Sequence, residues 1–149
     1  MKIILLDQTH LAQLVPLFDA YRVFYRKTSD LLSAKNFLQD RMDHGEATIF
    51  GAYDDEKLMG FTLLYPLFSS TRMKPIYLLN DLYVQPAHRN KAVGKALLEY
   101  AQLYAIKTDR AGVLLETEKS NDIGNHLYPS VGFDAVLDSN FYFWENKKP

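Results

Sequence analysis

Between Val84 and Lys95 the chain reads Val-Gln-Pro-Ala-His-Arg-Asn-Lys-Ala-Val-Gly-Lys. A loop of small residues entering a helix leaves backbone N–H groups free at the positive end of the helix dipole, which suits a phosphate or pyrophosphate. Asn90, Ala92, Val93 and Gly94 would supply such amides, and Arg89, Lys91 and Lys95 add cations around them. A solvated basic loop before a surface helix has the same composition, so the signal needs a companion. One follows downstream: Leu114-Leu115-Glu116-Thr117, then Asn121, Gly124, Leu127, Tyr128, Gly132 and Phe133. Asn121 can cap a short helix, and Tyr128 on it is either a packed aromatic or a phenol available for proton transfer.

Other chemistries lack carriers. The four histidines, His10, His44, His88 and His126, are scattered without metal-ligand spacing, so no metal is expected. There is no cysteine, which removes thiol nucleophiles, iron–sulfur clusters and redox pairs and is compatible with a reducing cytoplasm. No Gly-x-Ser-x-Gly, His-Glu-x-x-His or Walker loop occurs, so hydrolase and NTPase readings have nothing to stand on.

The elements that must position these residues are legible from periodicity. The 149 residues carry 17 Lys+Arg against 18 Asp+Glu, a net charge of −1 that argues against a nucleic-acid partner, and they read as a single domain over 1–149. The longest apolar run, Phe61 to Phe68, is broken by Thr62 and Pro66 and is too short to cross a bilayer, so neither a membrane span nor a membrane partner is expected and the location reads as cytoplasmic. Ile3–Leu6 suits a strand. A helix follows through Leu11, Leu14, Val15 and Phe18, with a kink expected at Pro16, and a second helix over about Ala34–His44, capped by Ser33. Strands are predicted over Ala47–Tyr53, Leu58–Leu67 and Ile76–Val84, and a helix over Ala92–Ile106. A strand at Val113–Thr117, a short helix at Ile123–Tyr128 and strands at Phe133–Leu137 and Phe141–Trp144 complete the chain. The order is β-α-α-β-β-β-α-β-α-β-β, a mixed α/β class.

Taken together, the two constellations in this order resemble the GCN5-related N-acetyltransferase (GNAT) superfamily. There an Arg/Gln-x-x-Gly-x-Gly/Ala loop after a strand holds acetyl-CoA, and an Asn-x-x-Ala-x-x-Leu-Tyr-x-x-x-Gly-Phe segment follows. Leu79-Asn80-Asp81-Leu82-Tyr83-Val84, with Tyr21 to Tyr25 and Leu64 to Ser70, is similar to a histone/polyamine acetyltransferase-like branch. The resemblance implies a GNAT fold with a mostly antiparallel mixed sheet of six to seven strands flanked by about four helices. It implies direct acetyl transfer from acetyl-CoA to a primary amine, either a polyamine-like small molecule or a lysine side chain. The alternatives are an amino-acid or antibiotic amine as acceptor, or a CoA-binding regulatory module without turnover.

The resemblance also distributes roles. Leu82, Tyr83 and Val84 would face the pantetheine arm, residues Arg89 to Lys95 the pyrophosphate, and Asn121 the cofactor or its own helix cap. Tyr128 occupies the position of the acid that meets the departing thiolate. An alkyl ammonium with a pKa near ~10 must lose a proton before it reacts, and Asp81 is the first candidate to bind the cation or take that proton. Tyr25, Tyr65 and Phe68 would wall the acceptor, with Glu116 a second carboxylate. The chain departs from the family at Asn90 and Ala92, where glycine is usual, though Ala92 in right-handed helical geometry would not need glycine's freedom. Gly124 replaces an alanine, which should loosen the short helix by about 1 kcal/mol. The aromatic run Phe141-Tyr142-Phe143-Trp144 cannot place all its rings on one face of a strand; two should be core and two outward, the outward pair suggesting a homodimer.

Overall fold

The computed structural model describes residues 1–148. The chain forms two compact units, residues 1–116 and the residues from Thr117 onward.

The first unit contains β1 (Lys2–Leu5), α1 (Leu11–Phe24), α2 (Leu31–Asp43), β2 (Thr48–Asp54), β3 (Lys57–Ser69), β4 (Lys74–Val84), α3 (Val93–Lys107) and β5 (Val113–Leu115). The sheet runs β1-β2-β3-β4-β5, antiparallel throughout except for the parallel β4–β5 pair. The mixed, mostly antiparallel character follows the expectation, with five strands in place of six or seven.

One face of the sheet packs on α1 and α2 through Leu14, Phe18, Leu38, Ile49, Phe61 and Leu63. Phe50 and Tyr77 instead meet rings from α3: Phe50 stacks edge-on with Tyr100 and Tyr104, and Tyr77 stacks on Tyr104. α1 continues without interruption through Pro16. α2 starts three residues before the sequence suggests, because the cap is Asp30, whose carboxylate accepts from the Ser33 amide at 3.0 Å. The connection between the two helices is tied down by Asp19, a buried carboxylate that accepts from Ser29 Oγ at 2.6 Å and the Asp30 amide at 2.8 Å. These bonds hold its pKa below the ordinary value.

The second unit holds α4 (Asp122–Ser130). The strands expected at Phe133–Leu137 and Phe141–Trp144 do not form. Among the described residues, 134–145 make no backbone–backbone hydrogen bond, so a β-prone composition has no ladder to join. All four aromatics Phe141 to Trp144 are exposed, from 63% to 92%, in place of the expected division into two core and two outward rings.

Candidate active site

The strand β4 does not run straight through its pairing with β3. Leu63 faces Asp81 and Leu64 faces Leu79, so Asn80 is an extra residue, a β-bulge. A one-residue slip sends every later side chain to the opposite face. Tyr77 therefore packs toward α3, whereas Tyr83 turns to the other face against Phe61, at a centroid distance of 6.4 Å. Asp81 shares that face with Tyr83 and is placed opposite Leu63, a residue of the α1/α2 core.

There it is 2% exposed. Asn80 Nδ2 donates to Asp81 Oδ1 at 2.9 Å, the Asp81 carbonyl accepts from Thr62 Oγ1 at 2.9 Å, and Oδ2 is buried with no hydrogen-bond partner. Burial pushes the carboxyl up to about 6, against the opposing pull of hydrogen bonds from Asn80 and Tyr21. The Tyr21 hydroxyl also donates to the Asn80 carbonyl at 3.2 Å, which ties α1 to the bulge.

Of the residues the sequence nominates as acceptor walls, Tyr65 and Tyr25 connect to this cluster. Tyr65 is buried enough, and close enough to Asp81, that its phenol is pushed up to about 12. Tyr25 meets Tyr21 edge-on at 5.1 Å. Phe68 does not belong: it pairs with Pro75 near the hairpin end, is 82% exposed, and lies five residues along β3 from the partner of Asp81, about 16 Å at strand rise. Glu116 follows directly after β5.

The β4–β5 ladder ends at Leu79 and Leu115, and β4 continues through Asn80 to Val84 without β5 beside it. Of its last residues, Leu82 is paired with Thr62 and Tyr83 with Phe61. After Val84 comes a short 3-10 turn, Pro86–His88, then the loop into α3. Among the described residues, none of the backbone N–H groups from Asn90 to Lys95 bonds to a backbone acceptor; the first helical bond is Ala96 N–H to the Ala92 carbonyl. Arg89 Nε donates to the Val84 carbonyl at 3.0 Å and the guanidinium lies over Tyr83. Lys95 pairs with Glu99 at 3.8 Å on the helix surface.

Asn90 and Ala92 both adopt left-handed geometry, with φ of 61° and 59°. This corrects the expectation for Ala92, which is a left-handed N-cap rather than a right-handed helical residue. Left-handed residues interspersed in a loop are a component of the backbone nests that bind anions. Asparagine tolerates the conformation, whereas alanine is strained there by about 1–2 kcal/mol. Ala92→Gly should therefore stabilise the protein by about 0.5–1 kcal/mol once the greater freedom of unfolded glycine is subtracted. Urea unfolding of the two proteins measures it, and a loss of stability would show that the loop does not hold this geometry in solution.

In the second unit the sequence motif resolves into one helix with both ends capped. Asn121 Oδ1 accepts from the Gly124 amide at 3.1 Å while its Nδ2 donates to Thr117 Oγ1 at 2.9 Å. Of its two nominated roles, these contacts form the cap. A Cβ on Gly124 would come within 2.5 Å of Asn121 Nδ2 and 3.0 Å of the Tyr128 ring, so the glycine makes room for the cap. At the other end Phe133 N–H bonds to the Tyr128 carbonyl at 3.1 Å and Gly132 N–H to the Pro129 carbonyl at 3.0 Å, with Gly132 at φ +91°. That is a Schellman motif, and the edge-on Phe133–Tyr128 contact at 6.2 Å is its usual apolar companion. The spacing Tyr-x-x-x-Gly-Phe thus fixes the backbone and ring of Tyr128.

Residues 14–133 match the family described as Acetyltransferase (GNAT) family. The chain belongs to this family. It is 43% identical over 123 residues, 83% of each chain, to the uncharacterized N-acetyltransferase YhfO of Bacillus subtilis (strain 168). It is 31% identical over 103 residues, 68% of this chain and 70% of the other, to a probable acetyltransferase of Haemophilus influenzae. The crystal structure of a probable acetyltransferase superposes with a TM-score of 0.93 at 34% identity, covering 100% of both chains. An aminoglycoside N-acetyltransferase solved with CoA shares the fold, with a TM-score of 0.81 over 99% of this chain and 95% of the other at 18% identity. The GNAT chain described here is thus an N-acetyltransferase by family. No helix among its described residues is long and apolar enough to cross a membrane, and none of its described acids and histidines cluster as metal ligands.

Proposed function

We propose that this single-domain GNAT enzyme transfers the acetyl group of acetyl-CoA directly to a primary amine, of a small molecule or a lysine side chain, whose ammonium is received at Asp81. The observation that carries the reading is the buried Asp81 carboxylate with one oxygen unpartnered, placed by the Asn80 bulge among Tyr21, Tyr65 and Asn80.

The fit to acetyl-CoA rests on the unpaired amides from Asn90 to Lys95, the cations Arg89, Lys91 and Lys95, and the β4 edge that β5 leaves open beyond Leu79. The first two suit a pyrophosphate. The open edge offers backbone groups of Leu82, Tyr83 and Val84 to an amide-rich arm. Acetyl-CoA supplies the activated thioester. In the reaction the amine nitrogen forms a bond to the acetyl carbon as the carbon–sulfur bond breaks. The ammonium gives one proton to Asp81, directly or through a water, before the nitrogen attacks. Tyr128 donates its phenolic proton to the departing sulfur, and the second proton that the nitrogen sheds as the amide forms returns through water to the Tyr128 phenolate. A phenol of pKa near ~10 and a thiol near ~8.5 are close enough for that transfer.

Asp81 with a pKa near 6 is ionised at neutral pH yet still basic enough to accept a proton. The alternative of a non-catalytic CoA-binding module gives no reason for a desolvated acid at this bulge. The test is free-thiol release from acetyl-CoA across a panel of amines, with acetyl-CoA binding measured by calorimetry in parallel. Binding without release for every amine would favour the module.

We place the enzyme in the cytoplasm as a homodimer. The four exposed aromatics of Phe141 to Trp144, each carrying about 150–250 Å² of side-chain surface, bring some 600 Å² or more toward the ~800 Å² per partner of a stable interface. Light scattering at tens of micromolar should give twice the chain mass, and Trp144→Ser should shift it toward one chain; a parent of one chain mass would exclude this assembly.

A further inference from the structure

A pocket of about 420 Å³ opens beside the Asp81 cluster, lined by Phe37, Arg41, Gly45, Glu46, Tyr65 and Pro66. Tyr65 is common to both: its phenol feels Asp81 and, from the other element, Arg41 and Glu46, and with its pKa pushed up to about 12 it stays protonated. Tyr65 lies two residues along β3 from Leu63, the partner of Asp81, so pocket and carboxylate are neighbours on one face of the sheet.

The polar lining is unequal. Arg41 is held from two sides, with its guanidinium carbon 4.9 Å from the centre of the Phe37 ring and its Nε 3.3 Å from Glu46 Oε1. Its Nε is nevertheless buried without a hydrogen bond of good geometry. The Glu46 side chain is 53% exposed, whereas the Arg41 side chain is 28% exposed. A stacked, oriented guanidinium presents a planar fork of donors that matches a carboxylate. Beyond the Glu46 ion pair and the Asn80 and Tyr21 contacts, one nitrogen of Arg41 and one oxygen of Asp81, Nε and Oδ2, are left without a hydrogen bond.

We propose that the acceptor carries a carboxylate at the end away from its reacting amine, and that Arg41 in the Phe37–Tyr65 pocket binds that carboxylate while Asp81 receives the ammonium. The inference rests on the acetyl-transfer reading above. It narrows the acceptor from any primary amine to an amino-carboxylate, and it disfavours a diamine, whose second ammonium would be carried toward the guanidinium.

Thiol release is measured with 4-aminobutanoate, 6-aminohexanoate, butylamine and 1,4-diaminobutane, for the parent and for Arg41→Gln. The parent should favour an aminoalkanoate over butylamine by about tenfold or more in kcat/KM, and Arg41→Gln should collapse that ratio through KM, as loss of a binding contact does. Arg41→Lys, which keeps the charge but not the fork, should fall between them and carries the test if the glutamine variant does not fold. Equal or better use of butylamine and the diamine, or a ratio unmoved by both variants, overturns the assignment of Arg41 while leaving acetyl transfer intact. Release with no amine at all overturns the acetyl-transfer reading and this inference with it.

Discussion

Asp81→Asn is expected to lower kcat for a primary amine at neutral pH by about 10²–10⁴-fold, the scale of one positioned acid or base. The parent kcat/KM should rise with pH through an inflection near 6, where the buried carboxyl ionises, and the variant should lack that inflection. Part of its lost activity should return at high pH, where more of the amine is already unprotonated. The same substitution should raise stability. The folded pKa lies above the ordinary 3.8, so the stabilisation linked to protonated Asp81 is fully present below about pH 4 and lost as pH rises through about 6. The rise from 3.8 to about 6 corresponds to about 2–3 kcal/mol of desolvation strain in the parent at pH 8, which asparagine does not carry. Urea unfolding at pH 5 and pH 8 checks this. A variant that loses activity and gains stability at pH 8 separates a functional acid from a structural one, whereas matching pH profiles would remove Asp81 from the chemistry.

Tyr128→Phe should cost about 10²-fold in kcat with little change in acetyl-CoA affinity, because the hydroxyl acts on the leaving sulfur and not on binding. The substitution keeps the ring that meets Phe133 and leaves the Asn121 cap and the Gly132 turn untouched, so α4 should persist by circular dichroism. Calorimetric affinity beside steady-state rates separates the two effects. Undiminished turnover would assign the proton transfer elsewhere and leave Tyr128 as the helix's packing residue.

The sequence carried the order of elements through Ser130 because helical periodicity and short β-prone runs persist there, and because Asn121 and Gly132 mark the two ends of α4 with residues the caps require. It did not carry the bulge at Asn80. Nothing in Leu-Leu-Asn-Asp-Leu-Tyr says which residue is unpaired, yet that residue decides whether Asp81 meets α3 or the face packed on α1 and α2. Ala92 misled for a similar reason: a good helix former at a helix start reads as right-handed, and only the backbone geometry reveals a left-handed cap. The aromatic tail shows the limit of β propensity, since Phe141 to Trp144 have strand composition without a strand to pair with. Phe68 is nominated by the family resemblance, in which the segment that starts there walls the acceptor, but here β3 extends through it and pairs it with Pro75 near the hairpin end. Arg41 went unnoticed because Phe37 and Glu46, near it in sequence, read as an ordinary helix end, whereas Tyr65, which joins it to the Asp81 cluster, comes from β3.

The central claim, transfer of an acetyl group to an amine received at Asp81, is tested most directly by mass spectrometry of an amine panel incubated with acetyl-CoA and either the parent or Asp81→Asn. The parent should increase the mass of primary amines by one acetyl group each, in step with thiol release, and the variant should do so far more slowly at pH 7. Unmodified amines with the parent, or equal acetylation by both proteins, would contradict it.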